Sequence, residues 1–130
     1  MAIFGKGSDI ATSNANTETT VIATGSKLEG KFYFTSMLHI DGEMSGIIHS
    51  ENIVVVGKNG NLKGELKADK VVINGYFEGE LEADSLEILS SGAVIGNITI
   101  KELSIENGGK FSGGSTIKED SLKLLETNSD

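Results

Sequence analysis

Gly60-Asn-Leu-Lys-Gly64-Glu-Leu-Lys-Ala68 and the later stretch Gly75-Tyr-Phe-Glu-Gly79-Glu-Leu-Glu-Ala83 are two copies of one pattern. In each copy two glycines enclose an apolar residue, and apolar residues then recur at every second position. A period of two is typical of β-strands, because successive side chains of a strand point to opposite faces. The pattern therefore predicts short strands with one buried and one exposed side.

The motif Gly-x-φ-x-Gly, in which φ is apolar, recurs along the chain. Five copies begin at Gly42, Gly60, Gly75, Gly92 and Gly109, and a sixth, from Gly25 to Gly30, has one extra residue. The repeat length is 15 to 18 residues, and most units open with an apolar pair such as Leu38 and Ile40. Such units match the coils of a solenoid, in which equivalent residues stack about 4.8 Å apart. We expect an all-β solenoid of about six coils, each with three short strands and three turns.

This register predicts two interior columns of apolar side chains and a set of outward neighbours. One column contains Leu28, Met44, Leu62, Phe77, Val94 and Phe111, and the other contains Phe32, Ile48, Leu66, Leu81 and Ile98. On the outer surface Lys63 should lie beside Glu78, Lys67 beside Glu82, and Glu65 beside Glu80. The solenoid should occupy residues 20–118, with flexible tails at 1–19 and 119–130.

Composition excludes several classes of protein. The chain has 130 residues with 17 glycines, no proline, no cysteine and a net charge of −8. A chain of this length forms one domain, and without cysteine it has no disulfide framework and no thiolate site. The acidic balance disfavours nucleic acid as a partner. No stretch approaches the roughly 20 apolar residues of a membrane span, so we expect a cytoplasmic protein.

The repeats resemble those of bactofilins, the polymer-forming bacterial cytoskeletal family. The closest likeness lies in Leu38-His-Ile40-Asp-Gly42-Glu-Met-Ser-Gly46, followed by Val54-Val-Val-Gly57 and by the glycine pair at 60 and 64. The resemblance implies a right-handed, roughly triangular β-helix that forms non-polar, nucleotide-independent filaments. It also implies a scaffold at the inner face of the cell membrane that helps to determine cell shape or to position cell-wall enzymes. Its partners would then be copies of itself, the membrane surface and cell-shape or cell-wall-modifying proteins.

Two groups of residues are candidates for assembly and membrane targeting. A solenoid without caps exposes apolar core at both ends, and stacking of rods would cover it. The predicted polymer interface contains Leu28, Phe32 and Phe34 of the first coil and Phe111 and Ile117 of the last. By resemblance, the apolar tip of the chain is a membrane-targeting segment formed by Met1, Ile3, Phe4 and Lys6.

The remaining candidates are exposed residues. Tyr33, Ile47 and Ile95 should face outward and form a possible partner surface. His39 and His49 could bind a metal only with a third ligand such as Asp41 or Glu43, and we expect no metal site and no cofactor. The alternative function is that of a β-solenoid acyltransferase with His49 as its candidate residue. Since no serine or carboxylate has a plausible base partner, we expect no enzyme.

Overall fold

The computed structural model describes residues 18–118, which form twelve β-strands and no helix. The strands are β1 (Thr19–Ile22), β2 (Lys27–Phe34), β3 (Met37–Ile40), β4 (Glu43–Ser50), β5 (Ile53–Val56), β6 (Asn61–Lys67), β7 (Lys70–Ile73), β8 (Tyr76–Glu82), β9 (Ser85–Ile88), β10 (Ala93–Ile100), β11 (Glu102–Ile105) and β12 (Lys110–Ile117). Each odd-numbered short strand and the long strand that follows it form one coil, and we number the coils 1 to 6. The expected number of coils is confirmed.

Two parallel sheets run along the rod. The short strands pair in the order β1-β3-β5-β7-β9-β11, and the long strands pair in the order β2-β4-β6-β8-β10-β12. Every strand therefore pairs with the equivalent strand of the next coil, which is the arrangement of a β-solenoid. The all-β solenoid is confirmed, while its right-handed winding stays a prediction from the resemblance. The predicted tails lie almost entirely outside the described residues, and β1 begins at Thr19.

The expected three strands per coil are wrong in number. A glycine with positive φ lies inside each long strand, for example Gly64 at φ +123° and Gly79 at φ +135°. These glycines pair with each other in register, so hydrogen bonding continues through them. The two segments that flank each glycine therefore belong to one strand instead of two.

Both predicted interior columns are confirmed by the strand register. Met44 pairs with Leu62, Leu62 with Phe77, and Phe77 with Val94. In the second column Ile48, Leu66, Leu81 and Ile98 are all at most 2 % exposed. The short strands add two further columns, which in coils 2 to 5 contain Leu38, Val54, Val71 and Leu86 and Ile40, Val56, Ile73 and Ile88. All of these side chains form one apolar core along the rod.

The predicted outward neighbours also occupy their expected positions. Lys63 pairs in register with Glu78, Lys67 with Glu82, and Glu65 with Glu80. Glu82 nevertheless forms an ion pair with Lys118, whereas no ion pair between Lys67 and Glu82 occurs among the described residues. The strand register therefore determines which residues are neighbours, but it does not determine which of their side chains form ion pairs.

Candidate assembly interfaces

The N-terminal end of the rod is formed by β1 and β2, the first strands of the two sheets. Leu28, Phe32 and Phe34 of β2 are partly buried and pack against the core. The rings of Phe32 and Phe34 stack with 6.3 Å between their centroids and 10° between their planes. Because no coil within the described residues covers these side chains from the N-terminal side, this end exposes apolar surface beside the edge of β2.

The C-terminal end of the rod, formed by β11 and β12, exposes more apolar surface than the sequence predicted. Phe111 is partly buried against the core, and Ile117 is 52 % exposed. Leu103 and Ile105 of β11 are 40 % and 44 % exposed, although neither was predicted as an interface residue. The sequence does indicate these two positions, because Leu103 and Ile105 are the last members of the two short-strand columns whose earlier members are buried.

The interior of coil 6 is also smaller than that of the other coils. Ile98 of coil 5 pairs in register with Ser115, so a serine ends a column that is otherwise made of large apolar residues. Gly113 and Gly114 precede this serine. The last coil therefore leaves the apolar ring of Phe111 beside a region of small side chains.

Lys118 ties the last coil to the middle of the rod. Its Nζ donates a hydrogen bond of 2.8 Å to Oδ1 of Asp84 and lies 3.8 Å from Oε2 of Glu82. The hydrogen bond from Lys118 lowers the pKa of Asp84, with a smaller opposing effect of desolvation and further lowering by the charges of Lys118 and Lys101. The contact joins residues 34 positions apart. It therefore spans from coil 6 to the turn after coil 4.

The predicted partner surface is only partly assembled. Tyr33 is 62 % exposed and donates a hydrogen bond to the carboxylate of Glu51. Ile47 lies near Tyr33 in the same shallow groove but is only partly exposed. Ile95 is 43 % exposed, yet it lies in coil 5, at a position that pairs with Glu78. The structure thus brings two of the three residues together, and Ile95 belongs to a different part of the surface.

The fold and its two open ends can be compared with known proteins. The family model described as "Bactofilin: Polymer-forming cytoskeletal" matches residues 20–116. The chain belongs to the bactofilin family. The matched residues include all of the six coils except Thr19 at the first residue of β1 and Ile117 at the last residue of β12. No curated protein and no solved structure matches the chain.

In this bactofilin the other candidate residues do not converge. His39 Nε2 lies 3.1 Å from Asp41 Oδ1, whereas His49 lies on the surface of the long-strand sheet. No group of three or more His, Cys, Asp or Glu side chains that could hold a metal ion occurs among residues 18–118. Within the same residues no helix has the length and apolar character needed to cross a membrane. Met1, Ile3, Phe4 and Lys6 lie outside the described residues.

Proposed function

We propose that this bactofilin is a self-assembling scaffold whose rods stack end to end into filaments without nucleotide. The observation that carries the proposal is the apolar surface at both ends of the solenoid: Phe32 and Phe34 at one end, and Leu103, Ile105 and Ile117 at the other. Burial of apolar surface is sufficient to drive association, and it requires no hydrolysis of a cofactor. Membership of a family described as polymer-forming supports the same proposal.

We further propose that the filament lies at the inner face of the cell membrane. There it would help to determine cell shape or to position cell-wall enzymes. The family resemblance supports this location, together with the apolar tip formed by Met1, Ile3 and Phe4 beside the cation of Lys6. The alternative of a solenoid acyltransferase has no observation in its favour. Its candidate residue His49 shares a surface groove with Glu65 and Glu82, yet within residues 18–118 its side chain forms no hydrogen bond or ion pair with either of them.

Phe111→Arg tests whether the C-terminal end is an assembly interface. Phe111 is only partly buried, so an arginine can extend from the open end of the rod into water. We expect the variant to keep the β-sheet circular dichroism of the wild type and to form monomers or dimers instead of filaments. Light scattering and negative-stain micrographs of protein without nucleotide would measure the loss of polymer.

The matched control is Phe77→Arg in the same interior column. Phe77 is 0 % exposed between Leu62 and Val94. Loss of a buried phenylalanine costs about 3–5 kcal/mol, and the buried unpaired charge adds to this. We expect this variant to unfold. Ile117→Arg, at a more exposed position of the same end, provides a second test that does not depend on Phe111. Folded protein that still polymerises with both end substitutions would disprove stacking through this end.

A further inference from the structure

The outer surface of the short-strand sheet has few charged side chains in its first four coils. We call it the short-strand face and define it by the outward residues of β1, β3, β5, β7, β9 and β11. These residues are Thr19, Val21, Met37, His39, Ile53, Val55, Lys70, Val72, Ser85, Glu87, Glu102 and Ser104. None of them is buried, and Val21 is 57 % exposed. Val21, Met37, Ile53, Val55 and Val72 are the apolar members of this face; His39 lies between Val21 and Val55, and all but Val21 are partly exposed. We call these five residues the apolar patch.

The charge on this face differs sharply from that on the rest of the rod. In coils 1 to 4 the short-strand face has eight outward positions, and only Lys70 among them has a formal charge. The long strands of the same coils have sixteen outward positions, of which ten are charged: Lys27, Glu29, Lys31, Glu43, Lys63, Glu65, Lys67, Glu78, Glu80 and Glu82. The apolar patch is therefore a local feature of one sheet and not a general property of the surface.

The charged residues of the short-strand face lie mostly at its other end. Coils 5 and 6 contribute Glu87 and Glu102, and neither coil has an outward lysine on this face. The outward carboxylates of the face thus lie in coils 5 and 6, while in coils 1 to 4 a carboxylate approaches the face at His39, whose Nε2 lies 3.1 Å from Asp41 Oδ1. This asymmetry constrains how two such faces could pack against each other.

We propose that the short-strand face binds the same face of a second copy of this chain, with the two rods antiparallel. In a parallel pair, the carboxylates of Glu87 from the two copies would lie at the same level, and so would those of Glu102. In an antiparallel pair, Glu87 of each copy lies opposite coil 2 and Glu102 lies opposite coil 1. The outward residues there are Met37, His39, Thr19 and Val21, and the Asp41 carboxylate contacts His39 at the same level. The antiparallel pair thus places the Glu87 and Glu102 carboxylates of the two copies at opposite ends of the contact, whereas the parallel pair would gather all four at one end.

The same arrangement places the apolar residues against each other. When coil 3 of one rod faces coil 4 of the other, Val55 lies opposite Val72 of the second copy, and Ile53 lies opposite the aliphatic stem of Lys70. The net charge of −8 opposes contact between two copies in general, so a lateral contact forms most readily where the surface has fewest charges. In a filament each subunit adds one such contact, and avidity then pairs whole filaments even if a single contact is weak.

Cross-linking between single-cysteine variants tests the antiparallel contact. The chain has no cysteine, so each introduced thiol is unique. Facing sheets lie about 10 Å apart, which is too far for a disulfide but within reach of a short bis-maleimide. We expect an equimolar mixture of Val55→Cys and Val72→Cys to form the mixed cross-linked dimer. Because each chain has one thiol, no cross-link within a chain can contribute.

The matched control is a mixture of Glu78→Cys and Ile95→Cys. These two positions are also outward neighbours on adjacent coils, but they lie on the long strands. All variants are made in a Phe111→Arg background, so the result does not depend on whether rods stack end to end. The wild-type chain with Val55→Glu and Val72→Glu is then viewed by electron microscopy, and we expect the loss of side-by-side pairing of filaments.

Three results would overturn the proposal. A yield of the 55-to-72 cross-link no greater than that of the control would remove the lateral contact. A dominant cross-link between Ile53→Cys and Val55→Cys would mean that the rods are parallel. Unchanged pairing of the glutamate variant, together with loss of its binding to vesicles of anionic phospholipid, would show that the face binds lipid instead of a second copy.

Discussion

At the scale of single residues, the second glycine of each motif is required by the approach of the neighbouring coil. A Cβ atom on Gly79 would lie 2.0 Å from the carbonyl oxygen of Gly64, far inside van der Waals contact. The equivalent glycines of coils 2, 3, 5 and 6 meet the same obstacle, at 1.7 to 2.0 Å. Gly30 differs, because it begins the column and a Cβ there would contact only the ring of Phe32, at 3.7 Å.

This difference makes Gly79→Ala and Gly30→Ala a matched pair. Both glycines have positive φ, at +135° and +150°, and an alanine in such a conformation costs about 1–3 kcal/mol. Gly79→Ala must also separate two coils, so we expect it to lower the free energy of unfolding more than Gly30→Ala does. Urea denaturation followed by circular dichroism measures both values. Equal losses would mean that the backbone conformation alone, and not the stacking of coils, requires the glycine.

At the scale of secondary structure, β12 is the long strand with the least support. It pairs only with β10 among the described strands, and all six of its residues after Phe111 are exposed. The contact from Lys118 to Asp84 acts just beyond its C-terminal end. Because the side chain of Lys118 is 20 % exposed and that of Asp84 is 53 % exposed, solvent screens the pair, and its contribution to stability is small.

We expect Lys118→Met to increase hydrogen exchange of the β12 amides while leaving exchange in β6 and β8 unchanged. Lys110→Met, at the other end of β12, is the control and should have a smaller effect. The pKa of Asp84 is lowered in the folded state, so its stabilising effect is present above the ordinary value of 3.8 and is lost as the pH falls below it through the folded pKa. Exchange in wild-type β12 should therefore approach that of Lys118→Met in this acidic range. A difference between the two proteins that persists at the lowest pH would contradict the assigned role of the pair.

The strands also show which features of the fold the sequence could predict and which it could not. Alternating apolar residues at a repeat of 15 to 18 residues determined the coils and both interior columns, because parallel register carries the same position from coil to coil. Ile53-Val54-Val55-Val56 has no alternation of its own, and only its alignment with Leu38 and Ile40 indicates that Val54 and Val56 face inward and Ile53 and Val55 outward. Leu103 and Ile105 resemble the buried Leu86 and Ile88 in sequence, and only the absence of a further coil within the described residues exposes them.

The ion pair of Lys118 could not be predicted for a different reason. Its partners depend on how far a lysine side chain reaches across a neighbouring coil, and sequence spacing alone does not determine this. The register correctly placed Lys67 beside Glu82, yet Glu82 contacts Lys118. Long, flexible side chains on a β-surface can reach diagonal as well as adjacent positions. Backbone register was therefore easier to predict than the contacts of charged groups.

At the scale of the whole molecule, the rod has two ends and one apolar side. In a solenoid each coil contacts only its neighbours, so the end coils lack half of the contacts that stabilise the inner ones. Stacking at the ends would lengthen the filament, and the short-strand face would pair filaments laterally. Because the two contacts use different residues, substitutions in one should leave the other intact. The length of the proposed filament, its lateral pairing and its membrane attachment can therefore be tested separately.

Polymerisation should strongly increase the affinity of the protein for the membrane. Burial of a large apolar side chain contributes at most about 1.5–3 kcal/mol, so Ile3 and Phe4 would bind a single chain to lipid only marginally. A filament presents many such tips at once, and avidity converts the weak contact into stable binding. We expect deletion of residues 1–6 to leave filaments intact in electron micrographs and to abolish their co-sedimentation with liposomes. Phe111→Arg, which keeps the tip but should not polymerise, is the control and should also sediment poorly with liposomes. If the deleted protein still bound lipid as the wild type does, the tip would not be the membrane-targeting segment. If Phe111→Arg bound lipid fully as a monomer, avidity would not be needed for membrane binding.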